Sequence, residues 1–489
     1  MTLFTFATQA GRAFDPNGSR NGRARMCARE SPAIPGRSFE MPVIQLGYGR
    51  DTINFDYDSA RFNLLSSNGR AARALSDAEI GAALDAPIES PAFAECVAPG
   101  DSILIVASDA TRATGSAQII NLLVRRLIQN GVQPNEIAII FATGIHRAVK
   151  PKEKIALLTA FIAQRIRTID HDAYDTAQLI ELGIRADRTP IEVNRALKEF
   201  AKVILTGAVG FHYFAGFTGG RKAICPGLAS AQTIEATHML ALDFERGGRR
   251  AGVGTGLLDG NPVHQECQRV TAMIDPAFSV NAIVNPAGHP ESIFSGHWRA
   301  AHAQACEHYA AEHSLRIEER RDVVIVSCGG SPYDINMIQA HKALDMAAYA
   351  CADGGTIILL AECNDGLGRP DFLKWFESAD SRALESRLRE NYEVNGQTAW
   401  ALLTKNERFQ VHIVTKLADE DVRRMRMIPA RSIDEDTCGR MCTSLGKAVI
   451  TAPTAMHCMA SRAAAGKERI SSIAPTNASS VVAAVTTRS

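Results

Sequence analysis

From Asp101 onward the chain repeats one pattern: a short apolar run rich in β-branched residues, a turn, then apolar residues at helical spacing. DSILIVASDATR precedes SAQIINLLVRRLIQNG, EIAIIFATGIHR precedes PKEKIALLTAFIAQRI, and KVILTGAVGFHYF follows later. Such alternation predicts βαβ units on a mostly parallel sheet. A second series starts at RDVVIVSCGG and runs through a helix near 335–351, GGTIILLAEC, the helix PDFLKWFESA and FQVHIVTKL. The pattern therefore predicts an α/β protein of two domains, with mostly parallel sheets and a boundary near residues 300–320. The first domain is assigned to 41–310 and the second to 311–442.

The ends lack this pattern. Residues 1–40 are rich in Arg, Gly, Ser and Pro without a period, so a disordered extension is expected there. A low-complexity tail rich in Ala, Ser and Thr is expected over 443–489. The segment HWRAAHAQACEHYAAEH reads as a helix, and its histidines, 297, 302, 308 and 313, share no single face and are read as solvated.

Composition narrows the function. Lys plus Arg (53) equals Asp plus Glu (53), so no net field draws nucleic acid or an anionic membrane, and neither partner is expected. The sequence holds no apolar run of the roughly 18 to 20 residues that span a bilayer, and no hydrophobic signal core. The eleven cysteines are scattered and form no CxxC, which suits a reducing, cytoplasmic setting. Cys438, Cys442, His457 and Cys458 match no common zinc spacing.

Polar residues gather just after the first-domain strands. Asp109 and Arg112 follow SILIVAS, His146 follows IAIIFATGI, and His212 follows VILTGAVGF. Ligands of parallel α/β sheets bind beyond the carboxyl ends of the strands, so all four belong to one rim. Then comes GFHYFAGFTGGRK, whose glycines would be costly in a helix or strand. It is no Walker loop, because Arg221 and Ala223 stand where a glycine and a hydroxyl are required. GVGTGLLDG (252–260) imitates a dinucleotide fingerprint but follows charged ERGGRRA, not a strand, and is read as a turn.

DATR (109–112), TGIHR (143–147), FHYFAGFTGGRKAICPGLAS (211–230), THMLALD (237–243) and DINMIQAHKAL (334–344) together resemble the nickel-pincer-dependent lactate racemases and related 2-hydroxyacid racemases and epimerases. The resemblance extends from about residue 41 to about 431. It implies an active site in a cleft between two α/β domains, and inversion at C2 of a 2-hydroxy carboxylate by reversible hydride transfer. It also implies a cofactor, the nickel-pincer nucleotide (pyridinium-3,5-bisthiocarboxylic acid mononucleotide nickel), which presents Ni(II) through two sulfurs and a ring carbon. On this resemblance Lys222 is the covalent tether and His238 the metal ligand. His146 and His212 are the paired acid/base residues, and Arg112, Gln339 and Lys342 hold the substrate. Asp109 would hold the cofactor or orient a histidine. Gly216, Gly219 and Gly220 would let backbone N–H groups approach the nucleotide phosphate. Proteins that build the cofactor would be partners.

Two departures stand out. Ala113 occupies a position where relatives often have proline, and Ile145 one where threonine is common. Two other readings compete: a nicotinamide-dependent 2-hydroxyacid dehydrogenase, which lacks a GxGxxG at the first strand–helix turn, and a non-catalytic cofactor-binding homologue.

Overall fold

The computed structural model describes residues 42–57, 59, 62–64, 73–285 and 287–433, with short strands at 448–451, 457–460 and 482–484. The extension expected over 1–40 and most of the tail expected after 443 lie outside the described residues.

The first sheet has six strands in the order Pro290–Gly296, Phe278–Val284, Lys202–Ala208, Ile103–Ser108, Ile137–Ala142, Arg167–Asp170. Every neighbouring pair is parallel except the Phe278–Val284 and Pro290–Gly296 pair. Its central strands Ile103–Ser108 and Ile137–Ala142 are apolar on both faces because both faces are covered. Ile103, Ile105 and Ala107 point into one core, and Leu104 and Val106 into the other. Helix Ser116–Gln129 seals the former face with Ile119, Ile120, Leu123, Val124 and Leu127, a stripe at helical spacing.

The second sheet is built around Arg321–Ser327, Cys351–Leu360, Gln410–Val414 and Ile428–Ala430, paired in parallel in that order. Val324 and Val326 pack under helices Met337–Ala350 and Val394–Arg408. Val323 and Ile325 face a different cover, the hairpin of Val43–Tyr48 and Asp51–Asp56, through Ile44, Leu46 and Phe55. Strand Phe62–Leu64 extends the same sheet by pairing with Ala448–Thr451. The chain therefore starts its described part on the second lobe, crosses to build the first, and returns. Residues 43–64, which the sequence pattern grouped with the first domain, pack with the second. Asp334, fully buried, fixes this crossing: its Oδ2 accepts from the Gly49 N–H at 2.7 Å and the Glu362 N–H at 3.1 Å.

The helix read at HWRAAHAQACEHYAAEH forms as Trp298–His313, but its histidines are not uniformly solvated. His302 and His313 are buried, at 2% and 5% exposure. This corrects the sequence expectation: the glycine-rich segment packs the bare face of Gly220 onto the His302 ring, and His313 stacks on Tyr309 with ring centroids 4.0 Å apart. Among the described residues no helix is long and apolar enough to cross a membrane.

Candidate active site

The strands Lys202–Ala208, Ile103–Ser108 and Ile137–Ala142 are neighbours, so their carboxyl ends lie side by side. Each delivers its polar residue to that rim, as the strand-end reading requires.

Asp109 and His146 meet directly: Asp109 Oδ2 lies 2.7 Å from His146 Nδ1. The other carboxylate oxygen accepts from the Thr111 backbone N–H at 3.1 Å and its hydroxyl at 2.6 Å. Burial alone would raise the Asp109 pKa, but the His146 and Thr111 hydrogen bonds and the nearby Arg112 charge outweigh it and hold the carboxyl below its usual range. An ionised Asp109 fixes the proton of neutral His146 on Nδ1, leaving an Nε2 lone pair. The His146 side chain is 51% exposed, open to a ligand.

His212 is poised the opposite way. Its Nδ1 accepts from the backbone N–H groups of Ala215 at 3.2 Å and Phe214 at 3.4 Å, so the neutral ring carries its proton on Nε2. Nε2 lies 3.1 Å from Lys222 Nζ. Burial, with the charges of Lys222, Arg112, Lys342 and His238, pushes the His212 pKa well below its ordinary value. Lys222 follows the same logic: burial, with Arg221 and Arg112 acting in the same direction, lowers it to about 7. A free-base Lys222 can accept the His212 Nε2–H, so the contact is satisfied with both groups neutral.

Lys222 sits on the short 3-10 turn Gly220–Ala223, and its neighbour Arg221 explains why that turn is rigid. Arg221 is 1% exposed and has no carboxylate partner among the described residues. Its guanidinium donates to the carbonyls of Ala215 at 2.8 Å and Thr218 at 3.3 Å, and lies 2.8 Å from His302 Nε2. The glycines have a reason inside the protein. A Cβ on Gly216 (φ +78°) would lie 2.3 Å from the Leu257 carbonyl oxygen, and one on Gly220 (φ +47°) 2.6 Å from the His302 ring. Gly219 is hemmed in by Val209 and Ala208.

His238 ends helix Ala231–Met239, which Ser230 caps by accepting from the Thr233 N–H at 3.1 Å. The imidazole is 8% exposed and its Nδ1 is buried without a hydrogen-bond partner. Burial, then the Lys222 charge, takes its pKa down to about 3, so the ring is neutral through the physiological range. Phe214 organises this group: its ring lies 4.4 Å from that of His212 and 5.0 Å from that of His238, with Lys222 Nζ 5.3 Å from its centroid.

The second lobe contributes helix Met337–Ala350, capped by Asn336, whose Oδ1 accepts from the Gln339 N–H at 3.0 Å. Lys342 donates to Gln339 Oε1 at 2.6 Å. The Lys342 amine is solvent-accessible yet walled by protein in the cleft; that burial, with the Arg112 charge, lowers it to about 7. Arg112 is the common neighbour, its charge felt at Asp109, His212, Lys222 and Lys342. Among the described residues no hydrogen bond or ion pair engages its guanidinium, which leaves the planar fork open for a carboxylate.

The structure thus pairs Asp109 with His146, His212 with Lys222, and Gln339 with Lys342, and joins Arg112 and His238 to the group through their fields. Sequence reading missed Thr111, Phe214 and Arg221. The signal for the last two was present, since the GFHYFAGFTGGRK stretch that raised the glycine question also contains them.

Fold and site define a two-lobed α/β enzyme whose strand ends gather two histidines and a buried lysine around an unengaged arginine. Family models agree: that of the lactate racemase N-terminal domain matches residues 48–248 and that of the C-terminal domain residues 317–450. The chain is 30% identical over 352 residues to a lactate racemase of Thermoanaerobacterium thermosaccharolyticum, spanning 71% of this chain and 81% of that one. It is 31% identical over 336 residues to a lactate racemase of Lactiplantibacillus plantarum, spanning 68% and 77%. The solved lactate racemase apoprotein of T. thermosaccharolyticum superposes with a TM-score of 0.75 at 28% identity, covering 82% of this chain and 95% of that one. A Thermotoga maritima protein shares the fold alone, with a TM-score of 0.57 at 20% identity, covering 74% and 95%. The chain belongs to the lactate racemase family, a family of isomerases.

Proposed function

We propose that this protein inverts the C2 centre of a 2-hydroxy carboxylate, lactate or a close relative, in the cytoplasm. The observation that carries the reading is the opposite hydrogen-bond poise of two histidines around a free guanidinium: His146 backed by Asp109, His212 backed by peptide N–H groups.

The C2–H of such a substrate is barely acidic, and a bound nickel-pincer nucleotide supplies a hydride acceptor that spares the enzyme from removing it as a proton. The residues present fit that group. His238 offers one neutral imidazole with an orphaned nitrogen, and would supply the protein's own ligand to a nickel ion that the cofactor carries. Lys222, lowered to about 7, offers an amine that is substantially free base at neutral pH and hence acylable. Cofactor-building proteins would load it.

Arg112 grips the substrate carboxylate through two parallel N–H donors, which fixes the rest of the molecule while C2 can be presented either way. The hydroxyl then falls to one histidine or the other. His146 takes the hydroxyl proton at Nε2, and Asp109 stabilises the imidazolium that forms. On return His212 protonates the oxygen from its imidazolium form, having taken one proton from solvent while His146 releases one to it, so that loss of the Nε2 proton leaves a neutral ring. For the opposite enantiomer the roles exchange, and His212 must then offer a bare Nε2. The long contacts at its Nδ1, 3.2 and 3.4 Å, are weak enough to give way. Lys342 and Gln339 close the carboxylate side from the second lobe.

The test is chiral chromatography of single enantiomers of lactate and other 2-hydroxy acids incubated with the cofactor-loaded chain. Loss of enantiomeric excess without added nicotinamide is expected. Oxidation that requires nicotinamide would establish a dehydrogenase instead, and no turnover of any 2-hydroxy acid would leave a binding protein.

A further inference from the structure

Where the lobes meet, away from the residues described above, lies a half-open pocket of about 270 Å³. Arg249 comes from the loop after the His238 helix, Lys405 and Arg408 from helix Val394–Arg408, and Arg320 from the entry to the second sheet. Tyr349 and Trp400 supply flat apolar walls.

These four cations are short of anions. Arg249 and Lys405 both lean on Oδ1 of Asp345, which is 1% exposed, Lys405 at 2.5 Å. Arg320 and Arg408 both lean on Oδ1 of Asp353, which is 70% exposed, Arg320 at 3.8 Å. Among the described residues these four positive charges form ion pairs with two carboxylates, one of them largely in water and therefore screened. Lys405 registers the deficit: burial, reinforced by Arg249 and Arg408, lowers its pKa to about 8 despite the Asp345 contact. Three guanidinium groups converging from three segments suit a tetrahedral dianion, because each can donate two parallel N–H bonds to adjacent oxygens.

We infer that this cavity is a second anion site, for a phosphate group carried as free phosphate or as a small phosphate ester. The site straddles the seam between lobes. Arg249 lies on the loop that follows the helix ending in His238, and Asp345 lies one turn beyond Lys342 on helix Met337–Ala350. Occupancy therefore ties together the two elements that bring the metal-facing imidazole and the cleft lysine. It needs no part of the racemisation chemistry.

Isothermal titration of the full chain with inorganic phosphate and with phenyl phosphate, at constant ionic strength held with chloride, tests this. The Arg320→Gln/Arg408→Gln variant should bind at least tenfold more weakly. Both side chains are 41% exposed, so the fold should survive, and Arg408→Gln alone asks the same question if it does not. Arg112→Gln should leave the affinity unchanged, which separates this cavity from the cationic active cleft. Tighter binding of phenyl phosphate would assign an ester against Tyr349 and Trp400, and equal binding free phosphate. Absence of binding, equal affinity in the cavity variants, or loss of binding in Arg112→Gln would overturn the site.

Discussion

At the scale of single residues the site rests on paired side chains. Asp109→Asn keeps the shape of the His146 contact but loses the charge that stabilises the imidazolium, so kcat should fall about 10- to 100-fold, the usual cost of losing an orienting partner. His146→Ala and His212→Ala should each lower kcat/KM by roughly 10²- to 10⁴-fold. Because two enantiomers are equal in free energy, the fall must be the same factor in both directions, which chiral initial rates check. Lys222 carries a pH prediction. A lowered pKa means the amine gains its free base as pH rises through about 7, so its acylation by an activated ester, read by peptide mass spectrometry, should level off between pH 8 and 9. Surface lysines would still be accelerating there. In cofactor-loaded protein the same peptide should carry the adduct, and unmodified Lys222 in an active, nickel-containing sample would remove the tether. The residue types were legible in the sequence because strand ends deliver them to a known rim. Their pairing was not: nothing in the separation of Asp109 from His146, 37 positions apart, says that they share a hydrogen bond.

At the scale of elements, site precision comes from caps and from bare backbone. Ser230→Ala removes the acceptor for the Thr233 N–H and should cost about 1 kcal/mol by thermal or urea unfolding. Since His238 rides the far end of that helix, nickel content should drop in the same variant. Most elements were legible because their hydrophobic periods are clean and their turns short. The glycine-rich segment was legible as special but not in its reason. Sequence reading pointed its glycines toward a ligand phosphate, whereas Gly216 and Gly220 are each already required by a protein atom less than 3 Å from any added Cβ. The buried His302 escaped for a related cause, since its partner Arg221 lies 81 positions away on the segment that those glycines bend.

At the scale of the whole molecule, the seam between lobes is held by buried charge. Asp345 gathers Arg249 from one lobe and Lys405 from the other, so Asp345→Asn leaves two cations buried without compensation and should cost about 3 to 5 kcal/mol in urea unfolding. The division into two α/β layers was legible from two separate series of strand-and-helix repeats. The crossing of residues 43–64 onto the second sheet was not, because hairpin pairing through Ile44, Leu46 and Phe55 depends on contacts some 270 positions distant.

On the proposed mechanism this cleft moves only the hydroxyl proton through its histidines, while the C2 hydrogen leaves and returns without meeting water. Incubation of the loaded wild-type chain with a C2-deuterated 2-hydroxy acid in ordinary water, followed by chiral mass spectrometry, measures this directly. The opposite enantiomer should appear with its deuterium largely retained. A product whose C2 deuterium has largely exchanged for solvent hydrogen would mean that an imidazole abstracts C2–H as a proton, and would contradict the roles given to His146 and His212.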